Sequence, residues 1–162
     1  GSSKYFKFKE NIFRKLYEEI LFLSNKYKVT VIPSRRTPLA FIEKLKKMNL
    51  KNIYIFEDQF NPVEYGNLLS EAEVQIVTWD SISMISEAIS SGAKTLIFPF
   101  EENSCPKRYK NFYDRIIEEN FISIYNRNLQ APTPDLNKYN SELKSKILNK
   151  IESNLSFKLN ES

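Results

Sequence analysis

The stretch from Val74 to Phe98, VQIVTWDSISMISEAISSGAKTLIF, decides the fold. Val74–Thr78 is apolar enough for a central strand, and Lys94–Phe98 repeats that character before Pro99 ends it. Between them, Ser81–Ser91 places Ile82, Ile85 and Ile89 on one helical face, and Gly92 supplies the residue that most easily stops a helix. Two strands of continuous rather than alternating apolar character, joined through a helix, are the signature of neighbouring parallel strands covered on both faces.

Working outward, the same alternation holds on either side. Asn11–Asn25 carries Ile12, Leu16, Ile20 and Leu23 at helical spacing, and Tyr27–Pro33 follows as a strand. Ser34–Pro38 is a loop, with Thr37 as the expected helix cap and Pro38 at the first helical position of Pro38–Met48. Asn52–Phe56 reads as a short strand, Glu57–Pro62 as a polar loop and Val63–Ser70 as a helix. After Phe98 come a helix over Pro106–Asn120, a strand over Phe121–Tyr125 and a Pro-containing connection over Gln130–Pro134. A final amphipathic helix is expected over 138–157, with Leu143, Ile147, Ile151 and Leu155 on its apolar face. The expected fold is a Rossmann-like α/β/α domain spanning residues 1–162, with a mostly parallel sheet of five or six strands.

Composition narrows the function. Hydrophobic residues make up 41% of 162, enough for one packed core. No apolar run approaches the roughly 20 residues of a membrane helix. The N-terminus lacks the pattern of a signal peptide, so a cytoplasmic location is expected. Cys105 is the sole cysteine, and histidine is absent. Internal disulfides, Ser-His-Asp and Cys-His nucleophilic sites and nearly every zinc arrangement are thereby removed, and no metal or other cofactor is expected. Only three glycines occur (Gly1, Gly66 and Gly92), so neither a GxGxxG turn nor a P-loop can be assembled. Aromatic residues are frequent, but they do not alternate with basic ones on a strand as RNA-binding sheets require, so no nucleic-acid partner is expected.

Charge is unevenly spread. Residues 1–51 hold 13 Lys/Arg against 4 Asp/Glu, a net +9, and residues 52–162 hold 11 against 16, a net −5. A basic first third suits a nucleotide, an anionic membrane or a partner domain. Lys44, Lys46 and Lys47 read more simply as a solvated helix face. Peripheral contact with an anionic membrane would use Lys4, Lys7, Lys9, Arg14 and Lys15 beside Tyr5, Phe6 and Phe8.

Ligands of open parallel sheets bind outside the carboxyl ends of the strands. Those ends here are Ser34–Thr37, Glu57–Asn61, Thr78–Ser83 and Phe100–Ser104. In the first, Arg35 and Arg36 present guanidinium forks that match diphosphate oxygens, just before a helix N-terminus; the competing reading is one arginine paired to a carboxylate and the other solvated. In the third, Asp80, Ser83 and Glu87 fall on one helical edge opposite Ile82, Ile85 and Ile89. A phosphate would sit over the Ser81–Ser83 amides, and Glu87 would accept from ribose hydroxyls. The competing reading gives Asp80 or Ser81 a capping role and leaves Glu87 in solvent. Glu57–Pro62 is either a loop closing over a base, with Phe56 or Phe60 for stacking, or a plain hydrophilic loop.

Three stretches, Val31-Ile32-Pro33-Ser34-Arg35-Arg36-Thr37-Pro38, Asn61-Pro62 and Val77-Thr78-Trp79-Asp80-Ser81-Ile82-Ser83-Met84-Ile85-Ser86-Glu87-Ala88, together resemble bacterial members of the mitochondrial fission "elongated mitochondria" family. That family is similar to GT-B glycosyltransferases, and Ala72–Phe100 looks like the donor half of the enzyme that adds N-acetylglucosamine to make lipid II. The resemblance implies a nucleotide diphosphate sugar, UDP-sugar-like, as ligand. It places Ser81 and Ser83 at the diphosphate, Glu87 at the ribose, the loop near Glu57–Asn61 at the base and Ser34–Thr37 at the phosphates or sugar, with Asn61, Thr78 and Asp80 among the expected ligand-binding residues. It also implies a partner N-terminal GT-B half that this chain does not contain and on which sugar transfer depends. The alternative it leaves open is a non-catalytic interaction module linked to membrane fission or division. Two departures stand out: Trp79 replaces a smaller residue, and no aromatic directly follows Asn61-Pro62, which leaves Tyr65 as the candidate for that place.

Overall fold

A computed structural model describes residues 9–57, 61–99 and 107–142 of the chain. The elements run α1 (Glu10–Ser24), β1 (Val29–Val31), α2 (Leu39–Lys47), β2 (Ile53–Ile55), α3 (Pro62–Glu71), β3 (Val74–Thr78), α4 (Ile82–Ser90), β4 (Lys94–Phe98), α5 (Lys107–Glu118) and β5 (Ser123–Ile124). A further helical segment covers 136–142. Every helix and strand expected within the described residues is present, and β3 and β4 have the bounds read from the sequence. The chain is an α/β protein with a Rossmann-like succession of parallel strands.

The outer strands are shorter than expected, for reasons visible in their hydrogen bonds. Tyr27 N–H donates to the Leu23 carbonyl at 2.9 Å, so α1 claims it before β1 begins. Pro33 has no N–H to extend the ladder at the other end. Likewise, Phe121 N–H donates to the Ile116 carbonyl at 2.9 Å, which ties the start of the expected last strand to the end of α5.

All five strands pair in parallel, but as two groups rather than one sheet. β1 pairs with β2 (Val29 opposite Ile53), and β3–β4–β5 form a triplet with Val74 opposite Lys94 and Leu96 opposite Ser123. Among the described residues no ladder joins β1 to β3, which corrects the expectation of a single continuous sheet. The two groups communicate through packing instead. Ile12 of α1 is buried with Phe98, against Leu16, Ile76, Trp79, Tyr109 and Tyr125, while the Phe13 and Phe41 rings meet at 5.4 Å.

The larger core lies around α4. Ile85, Ala88, Ile89, Leu96 and Ile97 are fully buried, with Tyr113 and Ile116 of α5 and Phe121, Ile122 and Tyr139 closing over them. The isoleucine face of α4 therefore packs on the sheet as its spacing predicts. Gly92 adopts φ +81°, the left-handed conformation that ends α4 and that favours glycine.

Several expectations fall outside the described residues. They are the stretch Tyr5–Phe8 with Lys4, the loop tip at 58–60, the strand end Phe100–Ser104 with Cys105, and the part of the expected C-terminal helix beyond 142. Within the described residues no helix is long and apolar enough to cross a membrane.

Candidate functional site

The carboxyl ends of β1 and β3 meet through one ion pair. Asp80 follows β3 in the turn before α4 and is 5% exposed. Its Oδ2 lies 3.7 Å from Arg36 Nη2, while the Arg36 side chain stays 42% exposed. The pair ties the Ser34–Thr37 turn to the start of α4, across the seam between the two strand groups. A guanidinium anchored at one edge keeps its remaining N–H groups in a defined direction, as oxyanion recognition requires.

The Ser34–Thr37 turn is organised by its own side chains. Thr37 Oγ1 accepts from Ser34 N–H at 2.8 Å and lies 3.2 Å from Ser34 Oγ, which accepts from Arg36 N–H at 3.2 Å. Thr37 N–H closes the turn onto the Ser34 carbonyl at 2.9 Å. Thr37 is thus a turn residue and not the expected cap: the N-cap of α2 is Pro38, which makes no side-chain bond. The reason is competition, since a Thr hydroxyl spent on the Ser34 amide cannot also reach into the helix. Arg35 is exposed beside this turn.

At α4 the capping reading of the sequence holds for Ser81. Ser81 is the N-cap, its Oγ accepting from Met84 N–H at a long 3.4 Å. The amides of Ile82 and Ser83 begin the helix and have no carbonyl of their own helix to reach. Ser83 and Glu87 are exposed, and Ser81 and Thr78 are half-buried. Asp80 departs from the expected outward edge. It precedes α4, so the helical 100° spacing does not govern it, and the turn points it inward toward Arg36.

Glu87 is not solitary. Its Oε2 accepts from the Tyr65 hydroxyl at 2.7 Å, a bond between α4 and α3. Burial, together with this carboxylate, pushes the Tyr65 hydroxyl well above its ordinary range, so it remains a donor. Asn61 caps α3 by accepting from Glu64 N–H at 3.1 Å, with Pro62 at the first helical position. Glu57, at the start of the neighbouring loop, pairs with Lys46 Nζ at 2.6 Å. Tyr65, the first aromatic residue after Asn61-Pro62, thus reaches Glu87 from α3.

Trp79 is engaged in core packing. Its ring lies parallel to Tyr113 at 5.3 Å, its carbonyl accepts from the Tyr113 hydroxyl, and it packs against both core clusters. A shallow cavity of about 450 Å³ lies elsewhere, lined by Leu21, Ser24, Met48 and Leu50 among others at the amino side of β2. It gathers no convergent charge, and the strand-end site owes nothing to it.

The structure thus brings Arg36, Asp80 and the α4 start into one place and Tyr65 onto Glu87. It leaves Arg35 and Ser83 exposed nearby and commits Asn61 to capping. Sequence reading missed the Tyr65–Glu87 bond and a second network in which Glu19 of α1 accepts from Tyr125 at 2.7 Å and from Arg127 Nη2 at 2.6 Å. Partners separated by 22 and 106 residues leave no periodic trace in a sequence.

Known proteins resemble the chain over most of its length. The family described as Mitochondrial fission ELM1 matches residues 1–145. "Uncharacterized protein RP120" of Rickettsia prowazekii (strain Madrid E) is 34% identical over 141 residues, covering 80% of this chain. The chain spans 38% of that relative's length. No solved structure matches significantly. With a family match over residues 1–145 that takes in the Ser34–Thr37 turn and the α4 start, the chain belongs to the Mitochondrial fission ELM1 family.

Proposed function

We propose that the edge formed by the Ser34–Thr37 turn, the Thr78–Ser83 turn and Glu87 binds a nucleotide diphosphate sugar, as the donor half of a GT-B-like glycosyltransferase. The observation that carries the reading is the Arg36–Asp80 pair, which holds a half-exposed guanidinium beside a helix N-terminus at the carboxyl ends of parallel strands. Arg35 and Arg36 take the diphosphate with the Ile82 and Ser83 amides, so charge is neutralised without a metal. Glu87 accepts from the ribose hydroxyls. Transfer of the sugar belongs to a longer protein whose second half supplies the acceptor site.

Calorimetry on the chain with UDP, GDP and their sugars tests this directly. Binding is expected with Kd below millimolar, and Glu87→Ala lowers affinity about 10-fold or more, the cost of losing charge-assisted hydrogen bonds. No binding of any of these ligands, or a Glu87→Ala variant equal to wild type, overturns the reading. Membership of a fission family favours a second reading, an interaction module of the same fold without catalysis. A longer protein that turns over no sugar donor yet retains a division partner would support that one.

A further inference from the structure

The Tyr65–Glu87 bond ties α3 to an exposed carboxylate of α4. Glu87 is exposed on α4 and could be solvated at little cost, yet its Oε2 is held at 2.7 Å by a phenol from α3. Tyr65 is itself firmly placed, since its N–H donates to the Asn61 carbonyl at 3.0 Å in a turn whose start is fixed by the Asn61 cap. A glutamate side chain free in water samples many rotamers, and holding it in one removes that entropy before a ligand arrives. A carboxylate has about four acceptor positions. A single phenol hydroxyl uses one, and two neighbouring hydroxyls of a sugar fit on the rest.

We infer that Tyr65 is a positioning residue that holds Glu87 ready for the 2′,3′-diol of a ribonucleotide and so sets preference for ribose over deoxyribose. The inference rests on the nucleotide-binding reading of the same site. Tyr65 touches no ligand in this role; it acts through Glu87. Because burial and the carboxylate keep the phenol protonated, it remains a donor across the neutral range.

The test compares UDP and GDP with their 2′-deoxyribose and 3′-deoxyribose forms, by calorimetry, on wild-type chain and on Tyr65→Phe. Phenylalanine keeps the ring and removes only the hydroxyl, and thermal melting confirms that the variant is folded. Wild type is expected to prefer the ribose form. Tyr65→Phe is expected to bind it about 3- to 10-fold more weakly, the worth of one hydrogen bond, and to lose less for the deoxyribose forms, which keep only one of the two hydroxyls that Glu87 can accept from. The ratio between the two sugars is the decisive readout, because a general loosening of the site would weaken both alike. An unchanged ratio in Tyr65→Phe overturns the inference and leaves nucleotide binding standing. Tighter ribose binding in Tyr65→Phe also overturns it, by showing that the phenol competes with the sugar. Absence of nucleotide binding by wild type overturns this inference together with the reading beneath it.

Discussion

Arg36 and Asp80 form the contact on which the site's geometry depends, and their burial is unequal. The Asp80 side chain is 1% exposed and that of Arg36 is 42% exposed. Removing the cation from a buried carboxylate costs more than removing a surface ion pair, and partial exposure of the arginine moderates that cost. Arg36→Ala should therefore destabilise the chain by about 1–2 kcal/mol in urea unfolding. Arg35→Ala, at an exposed position, should change stability by less than about 0.5 kcal/mol. The double variant Arg36→Ala with Asp80→Asn should recover part of the loss, because the carboxylate's charge goes with its partner. Equal effects of Arg35→Ala and Arg36→Ala would show that the pair does not hold the turn. The sequence placed both arginines at a strand end, where diphosphate chemistry is plausible, but it could not say which one would pair. That choice depends on the inward turn of Asp80, which helical spacing counted from Ser81 could not foresee.

Elements were legible where apolar periodicity is strong and obscure where polar pairing decides. The β3–α4–β4 unit was readable to within one residue at each end of its helix, since Ile85 and Ile89 had one dry face to occupy and Gly92 one conformation that ends the helix. The ends of β1 and β5 were not, because Tyr27 and Phe121 bond to the helices before them. The tie between α1 and the end of β5 was invisible for a further reason: it joins Glu19 to Tyr125 and Arg127, 106 and 108 residues further along the chain. Hydrogen bonding to Arg127 lowers the Glu19 carboxyl below its ordinary value of 4.5, burial opposes this, and the Tyr125 hydroxyl adds to the lowering. A carboxyl depressed in the folded state contributes stability above its unfolded value and loses it as pH falls through the folded one. Glu19→Gln, which removes the charge and keeps the shape, should melt about 2–4 °C below wild type at pH 7. The gap should close as pH falls from about 4.5 through the lowered folded-state value, below which wild type is protonated too. A gap that does not narrow at all as pH falls below about 4.5 would mean that packing around Glu19 matters and its charge does not.

Across the whole molecule, the two strand groups are unequally supported. β3 and β4 flank the fully buried Ile85, Ala88, Ile89, Leu96 and Ile97, whereas neither β1 nor β2 contains a buried residue. In this part of the chain the buried apolar residues include Phe56, just beyond β2, and Phe41 and Leu45 of α2. Local opening follows buried apolar support, so the halves should open with different free energies. Hydrogen exchange should find the slowest amides in β3 and β4 and protection at least about 10-fold lower in β1 and β2, a gap of about 1.4 kcal/mol. The Arg36–Asp80 contact crosses the seam between these halves, so a ligand seated there binds the weaker half to the stronger one. Saturating UDP should then slow exchange in β1 and its following turn more than in β4, because protection grows most where opening breaks the site. Exchange that is uniform across both groups would show one cooperative unit despite the divided pairing. Slowing confined to β3 and β4 would place the nucleotide on α4 alone, with the arginine turn outside the site.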